Sequence, residues 1–102
     1  MTLGQRRTKI VCTIGPATSS REMLDKLVES GMDAARLNFS HGSHADQAER
    51  YRAVRAVEAD TQRPVAVVID LQGPKLRVGA FRDGAIELAR GARFRLDLSP
   101  EA

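Results

Sequence analysis

Tryptophan is absent from this chain, the aromatic residues are one tyrosine and three phenylalanines, and there is a single cysteine, Cys12. Each shortage excludes something. A lone cysteine cannot close an internal disulfide, so apolar burial must hold the fold, and a reducing compartment suits it. So few rings leave no platform on which successive bases would stack, which argues against a nucleic-acid module. No apolar run approaches the roughly 18 residues of a membrane span. The basic start, Met1-Thr2-Leu3-Gly4-Gln5-Arg6-Arg7, leads into no secretory apolar region. The cytoplasm is the simplest location that remains, with no membrane partner. Long runs of one charge are also missing. Sixteen Lys and Arg stand against thirteen Asp and Glu, and the net charge of +3 is scattered. Such a balance sets only a weak field and gives no reason to expect nucleic acid as a partner.

What is present is ordinary for a globular protein. The 102 residues are 42% hydrophobic and 28% charged, enough for one modest core. Lys9-Ile10-Val11-Cys12-Thr13-Ile14 reads as a strand halted by Gly15-Pro16. Ser19-Ser20-Arg21-Glu22 matches a capping box with Ser19 as N-cap and Glu22 reaching back. Met23, Leu24, Leu27 and Val28 follow at helical spacing, and Gly31 supplies a left-handed stop. Asp33 to Phe39 reads as a second strand. Ser43 then caps a helix to about Asp60, with Ala48, Tyr51, Val54 and Val57 on its apolar face. Pro64-Val65-Ala66-Val67-Val68-Ile69 is a β-branched run of the kind covered on both faces. Strand, helix, strand, helix, strand implies a parallel sheet, and ligands of such sheets bind at the carboxyl ends of the strands.

The pattern changes at Gly73-Pro74. Beyond it apolar residues alternate with polar ones, and Asp83-Gly84 and Arg90-Gly91 carry turn signals. Leu76 to Leu98 is therefore expected to form antiparallel strands of a separate small β module. The domain division this gives is 1–73 and 74–102, the second part being incomplete.

Two segments carry chemistry. Arg36-Leu37-Asn38-Phe39-Ser40-His41-Gly42 closes the second strand, and Asp70-Leu71-Gln72-Gly73-Pro74-Lys75-Leu76-Arg77 closes the third. Arginine offers a planar fork that matches phosphate oxygens, and Asn38, Ser40 and Asp70 are hard oxygen donors suited to a cation. Bland readings stand beside these. Arg36 can be an ion-paired surface arginine and Arg77 an exposed position on an alternating strand. Asn38, Ser40 and Asp70 can simply cap turns. His41 can serve a site or a turn. His41 and His44 lack the further ligands that a metal pair would need. Cys12 reads as core.

Arg7-Thr8-Lys9-Ile10-Val11-Cys12-Thr13-Ile14-Gly15-Pro16-Ala17-Thr18, together with the two segments above, resembles three ordered blocks of the pyruvate kinase family. The match covers nearly the whole chain. The resemblance implies the N-terminal portion of a (β/α)₈ TIM barrel followed by the start of an inserted small β-barrel lid. It implies glycolytic phosphoryl transfer from phosphoenolpyruvate to ADP, giving pyruvate and ATP. Arg36 is then the catalytic and substrate-binding arginine. Pro16, Asn38, His41 and Arg77 lie on the nucleotide side. Asn38, Ser40, Asp70 and the carbonyl of Leu71 form a monovalent K⁺ site.

Family members that require K⁺ carry glutamate where Lys75 stands and threonine where Leu71 stands. Leu71, Gln72, Lys75 and Val78 resemble the K⁺-independent branch; a Lys75 ammonium near Asp70 can replace the ion, whereas a Lys75 that points to solvent is only part of the general basicity. The Mg²⁺ ligands and the catalytic lysine of the family belong to later strands. A homotetramer is expected of the full-length chain. A barrel takes about 250 residues, so the 102 residues are expected to be inactive alone and, with sheet edges open, to aggregate or remain molten. The alternative expectation is a truncated, non-catalytic chain that at most binds phosphate or nucleotide weakly.

Overall fold

A computed structural model describes residues 6–98. Five elements alternate as the patterning predicts: β1 (Val11–Thr13), α1 (Arg21–Glu29), β2 (Ala34–Asn38), α2 (His44–Thr61) and β3 (Ala66–Asp70). The strands form one sheet in the order β1-β2-β3. Both pairings are parallel, with Thr13 opposite Arg36, Arg36 opposite Val68, and Asn38 opposite Asp70. Alternate residues of a strand face opposite sides of the sheet. One side carries Cys12, Ala35, Leu37 and Val67, which join Leu24 and Val28 of α1 and Val54 and Val57 of α2 in a single core. Burying each of the larger aliphatic side chains there stabilises the fold by roughly 1.5–3 kcal/mol. The other side carries Thr13, Arg36, Asn38 and Asp70. Among the described residues no helix is long and apolar enough to cross a membrane.

The caps explain where the helices sit. The N-cap of α1 is Ser20, not the expected Ser19, and its hydroxyl accepts the Met23 N–H at 3.2 Å. A reciprocal box needs its acid three residues after the cap, and from Ser20 that position is Met23. Glu22 therefore receives the Lys26 ammonium at 2.7 Å instead. At the other end Gly31, at φ 110°, lets its own N–H reach the Val28 carbonyl and the Met32 N–H reach that of Leu27. This is the paired-bond stop in which a left-handed residue follows the last turn. The predicted Ser43 cap of α2 is present as a full box with Asp46. The buried stripe of α2 is Gln47, Val54 and Val57. Tyr51, expected on the apolar face, is exposed, with the Arg55 guanidinium 5.3 Å from its ring centre. The stripe is rotated toward Gln47 because that amide, and not Tyr51, has partners inside.

Two expectations are corrected. The run ending at Ile69 is not covered on both faces, and Ile69 remains 54% exposed. As the outer strand, β3 pairs only with β2 among the described residues. The strands expected between Leu76 and Leu98 are also not formed. Residues 71–98 contain turns but no strand or helix. The turns fall where the glycines predict, with Gly84 N–H bonded to the Phe81 carbonyl and Ala92 N–H to that of Ala89. Phe81 and Phe94 approach to 6.4 Å, yet Leu76, Leu96 and Leu98 lie open to solvent. A lone ribbon with no second layer against its apolar face is marginal in water, so alternation by itself does not make a ladder. Residues 99–102, the end of the expected second part, lie outside the described residues, as does the basic start over residues 1–5.

Candidate functional site

The open face of the sheet ends in two rows of side chains. Thr13 and Arg36 share one row, and Asn38 and Asp70 share the next. Arg36 spans both. Its Nε and Nη2 donate to Asp70 Oδ2 at 2.9 and 2.5 Å, and its Nη1 donates to Thr13 Oγ1 at 3.0 Å. The guanidinium is thus gripped from the strands on either side. The Arg36 and Asp70 side chains keep 32% and 47% exposure, so water weakens this ion pair and an incoming anion can compete for it. A guanidinium has five N–H donors. Three are engaged here, which leaves one on each terminal nitrogen for a ligand.

The turn after β2 is built by Asn38. Its Oδ1 accepts the Ser40 N–H at 3.1 Å, and its carbonyl accepts the His41 N–H at 3.3 Å. Phe39 N–H bonds the Asp70 carbonyl at 3.0 Å, which ties this turn to the end of β3. Behind the turn, Gln47 Nε2 donates to the carbonyls of Asn38 and His41, each at 2.8 Å. Gly42 closes the turn at φ 74°, where a side-chain Cβ would come within 3.3 Å of Asp46 Oδ2. That carboxylate accepts the Ser43 N–H at 2.7 Å. The bond to this N–H, followed by that to the Ser43 hydroxyl, holds Asp46 below the usual aspartate range. Asp33 is likewise lowered, first by the Ile10 N–H, and it fixes the start of β2 against the approach to β1.

From the loop after β3, Lys75 Nζ reaches Ser40 Oγ at 3.4 Å. Three of the four oxygens expected to hold a monovalent ion face protein donors. Asn38 Oδ1 faces the Ser40 N–H, Ser40 Oγ faces Lys75, and Asp70 Oδ2 faces Arg36. No group of three or more His, Cys, Asp or Glu able to hold a metal ion occurs among the described residues.

The structure thus brings Arg36, Asn38, Ser40, Asp70 and Lys75 to one end of the sheet. Pro16, Leu71, His41 and Arg77 are exposed. Among the described residues no hydrogen bond or ion pair joins the side chains of these four to the cluster. The His44 ring lies 6.1 Å from Phe39 and has no part in the site. Sequence reasoning passed over three residues. Thr13 steadies Arg36, and Thr18 caps the turn after β1 by accepting the Gly15 N–H at 2.8 Å. Gln47 is the third. It lies seven positions before Val54, but Arg50 and Thr61 share that phase, so spacing alone does not single it out.

A family model described as pyruvate kinase, barrel domain, matches residues 5–102. Pyruvate kinase of Corynebacterium glutamicum is 53% identical over 91 residues, covering 89% of this chain and 19% of that protein. The Agrobacterium vitis pyruvate kinase is 51% identical over 96 residues, or 94% of this chain and 20% of its own length. That of Mycobacterium intracellulare is 52% identical over 94 residues, 92% of this chain and 20% of its own. The chain spans about a fifth of the length of the curated relatives it matches.

Proposed function

Because the chain belongs to the pyruvate kinase family, we propose that it supplies the first part of an enzyme that moves a phosphoryl group from phosphoenolpyruvate to ADP. The observation that carries this reading is Arg36, held between Thr13 and Asp70 at the carboxyl end of a parallel sheet with two N–H donors free. Phosphoryl transfer asks a protein mainly for positioning and for neutralised charge. Arg36 meets both needs, with Asp70 and Thr13 aiming its fork at the transferring group. Asn38 and His41 on the turn, with Pro16 and Arg77 beyond it, form the nucleotide side.

Lys75 beside Ser40 takes the place of K⁺. An ammonium there carries the charge of the monovalent ion on a tether of its own. The remaining four-fifths of the protein holds the ligands of Mg²⁺, a metal whose role in such reactions is to bridge and neutralise phosphate oxygens. In this reading residues 1–73 begin a (β/α)₈ barrel and residues 74–102 begin an inserted β lid. The enzyme works in the cytoplasm, as a homotetramer when complete, and residues 1–102 alone have no turnover.

The test is pyruvate formation by the full-length protein from phosphoenolpyruvate, ADP and Mg²⁺, with tetramethylammonium or K⁺ as the monovalent cation. Turnover in both salts is expected. No pyruvate in either would remove the kinase reading. A strong dependence on K⁺ at saturating substrates would leave the kinase but remove the role given to Lys75.

A further inference from the structure

Gln47 is 2% exposed, the only buried polar side chain among the described residues. Its amide orientation is set by its partners, since the carbonyls of Asn38 and His41 can only accept, and both stand 2.8 Å from Nε2. Both N–H groups are thereby used. The other end of the amide, Oε1, is buried and has no partner. Buried polar atoms are nearly always paired, and a methionine of equal length would fill the same space without the unpaired Oε1 but would take both donors from the carbonyls of Asn38 and His41. The amide is therefore explained by what its two donors hold.

They hold both ends of the turn at residues 38–41. Within it the Ser40 and His41 N–H groups are already turned inward, to Asn38 Oδ1 and to the Asn38 carbonyl. The backbone of Asn38 and His41 is thus held from behind by a residue nine and six positions along the chain, on α2. Arg36 depends on different partners, Thr13 and Asp70.

We propose that Gln47 is a positioning residue that sets the turn at 38–41 for the nucleotide, while leaving the arginine side of the site to β1 and β3. This rests on the reading of the chain as part of a pyruvate kinase. The experiment compares full-length wild type, Gln47→Met and, as a control for lost core stability, Val57→Ala. Steady-state kinetics are measured with phosphoenolpyruvate and ADP, and amide exchange is followed over residues 38–42. In Gln47→Met the KM for ADP is expected to rise about tenfold, the loss of an interaction worth a typical hydrogen bond or more. The KM for phosphoenolpyruvate is expected to stay within about twofold of wild type on the same scale. Exchange over the turn should accelerate in Gln47→Met and not in Val57→Ala.

An unchanged KM for ADP would overturn the proposal, as would equal rises for both substrates or the same pattern in Val57→Ala. If the full-length wild type transfers no phosphoryl group, the functional reading fails separately. Exchange over residues 38–42 then decides alone whether Gln47 sets the turn, and unaltered exchange in Gln47→Met overturns it.

Discussion

Two regions of this chain share regular apolar patterning and meet different fates. Every buried apolar residue among those described lies between Ile14 and Val65. The segment from Leu71 to Leu98 buries none fully, and Leu98 is 103% exposed. The difference lies in where each pattern finds its cover. In the first region each helix follows its strand closely and returns to the same face of the sheet, so neighbours in sequence become neighbours in the core. In the second, alternation defines a face and the adjacent chain offers nothing to lie against it. Periodicity states which side of an element seeks burial and does not state that burial is at hand.

The sharpest way to break the comparison is catalytic. In the full-length protein, Arg36→Met should lower kcat/KM by about 10³-fold, the scale of an arginine that neutralises a transferring phosphoryl group. Arg77→Met, in the exposed segment, should cost on the order of tenfold, through the KM for ADP. Comparable losses at both positions would mean that the site is shared evenly by the two regions.

Packing offers the next test. Leu24 is fully buried, and Leu24→Ala should cost about 2–5 kcal/mol in denaturant unfolding of the full-length protein. Leu76→Ala should stay within roughly 0.5 kcal/mol if the segment remains uncovered, as ordinary surface substitutions do. A loss like that at Leu24 would show that the rest of the protein supplies the missing layer.

Residues 1–102 expressed alone are expected to aggregate or to give poorly dispersed amide NMR spectra, because β3 and the segment after it leave edges and apolar side chains open. Sharp, dispersed signals from a monomer would reverse that expectation.

The smallest effect concerns pH. Asp46 is held below its ordinary range by the Ser43 N–H. Its contribution is fully present above the unfolded aspartate value of about 3.9 and is lost as pH falls through the lowered folded value. Asp46→Asn should therefore melt earlier than wild type at neutral pH, and the two melting curves should converge in acid. A gap that stayed constant across that range would mean that the capping bond does not depend on the charge.

Much of the fold could be read from particular residues. Gly31 announced the end of α1, Ser43 the start of α2, and the order of elements followed from apolar spacing. The cap of α1 was misplaced by one because Ser19 and Ser20 both qualify and only the backbone geometry chooses between them. At the site, Arg36 and Asp70 were visible as strand-end charges. Their direct pairing was not, since it depends on the register of strands separated by a whole helix. Thr13 escaped for the same reason, since its partner Arg36 stands 23 positions away on the next strand. Gln47 escaped because its partners are backbone carbonyls of the turn before α2, which no side-chain pattern announces.

Gly42 has a consequence for how such a sequence can drift over generations. At φ 74° a side chain is strained, and its Cβ would press on the Asp46 carboxylate that starts α2. One substitution there would disturb the turn that presents Asn38 and Ser40 and the first bonds of the helix behind it. A left-handed backbone costs most L residues roughly 1–2 kcal/mol, asparagine and aspartate less, so position 42 favours glycine as this sequence drifts.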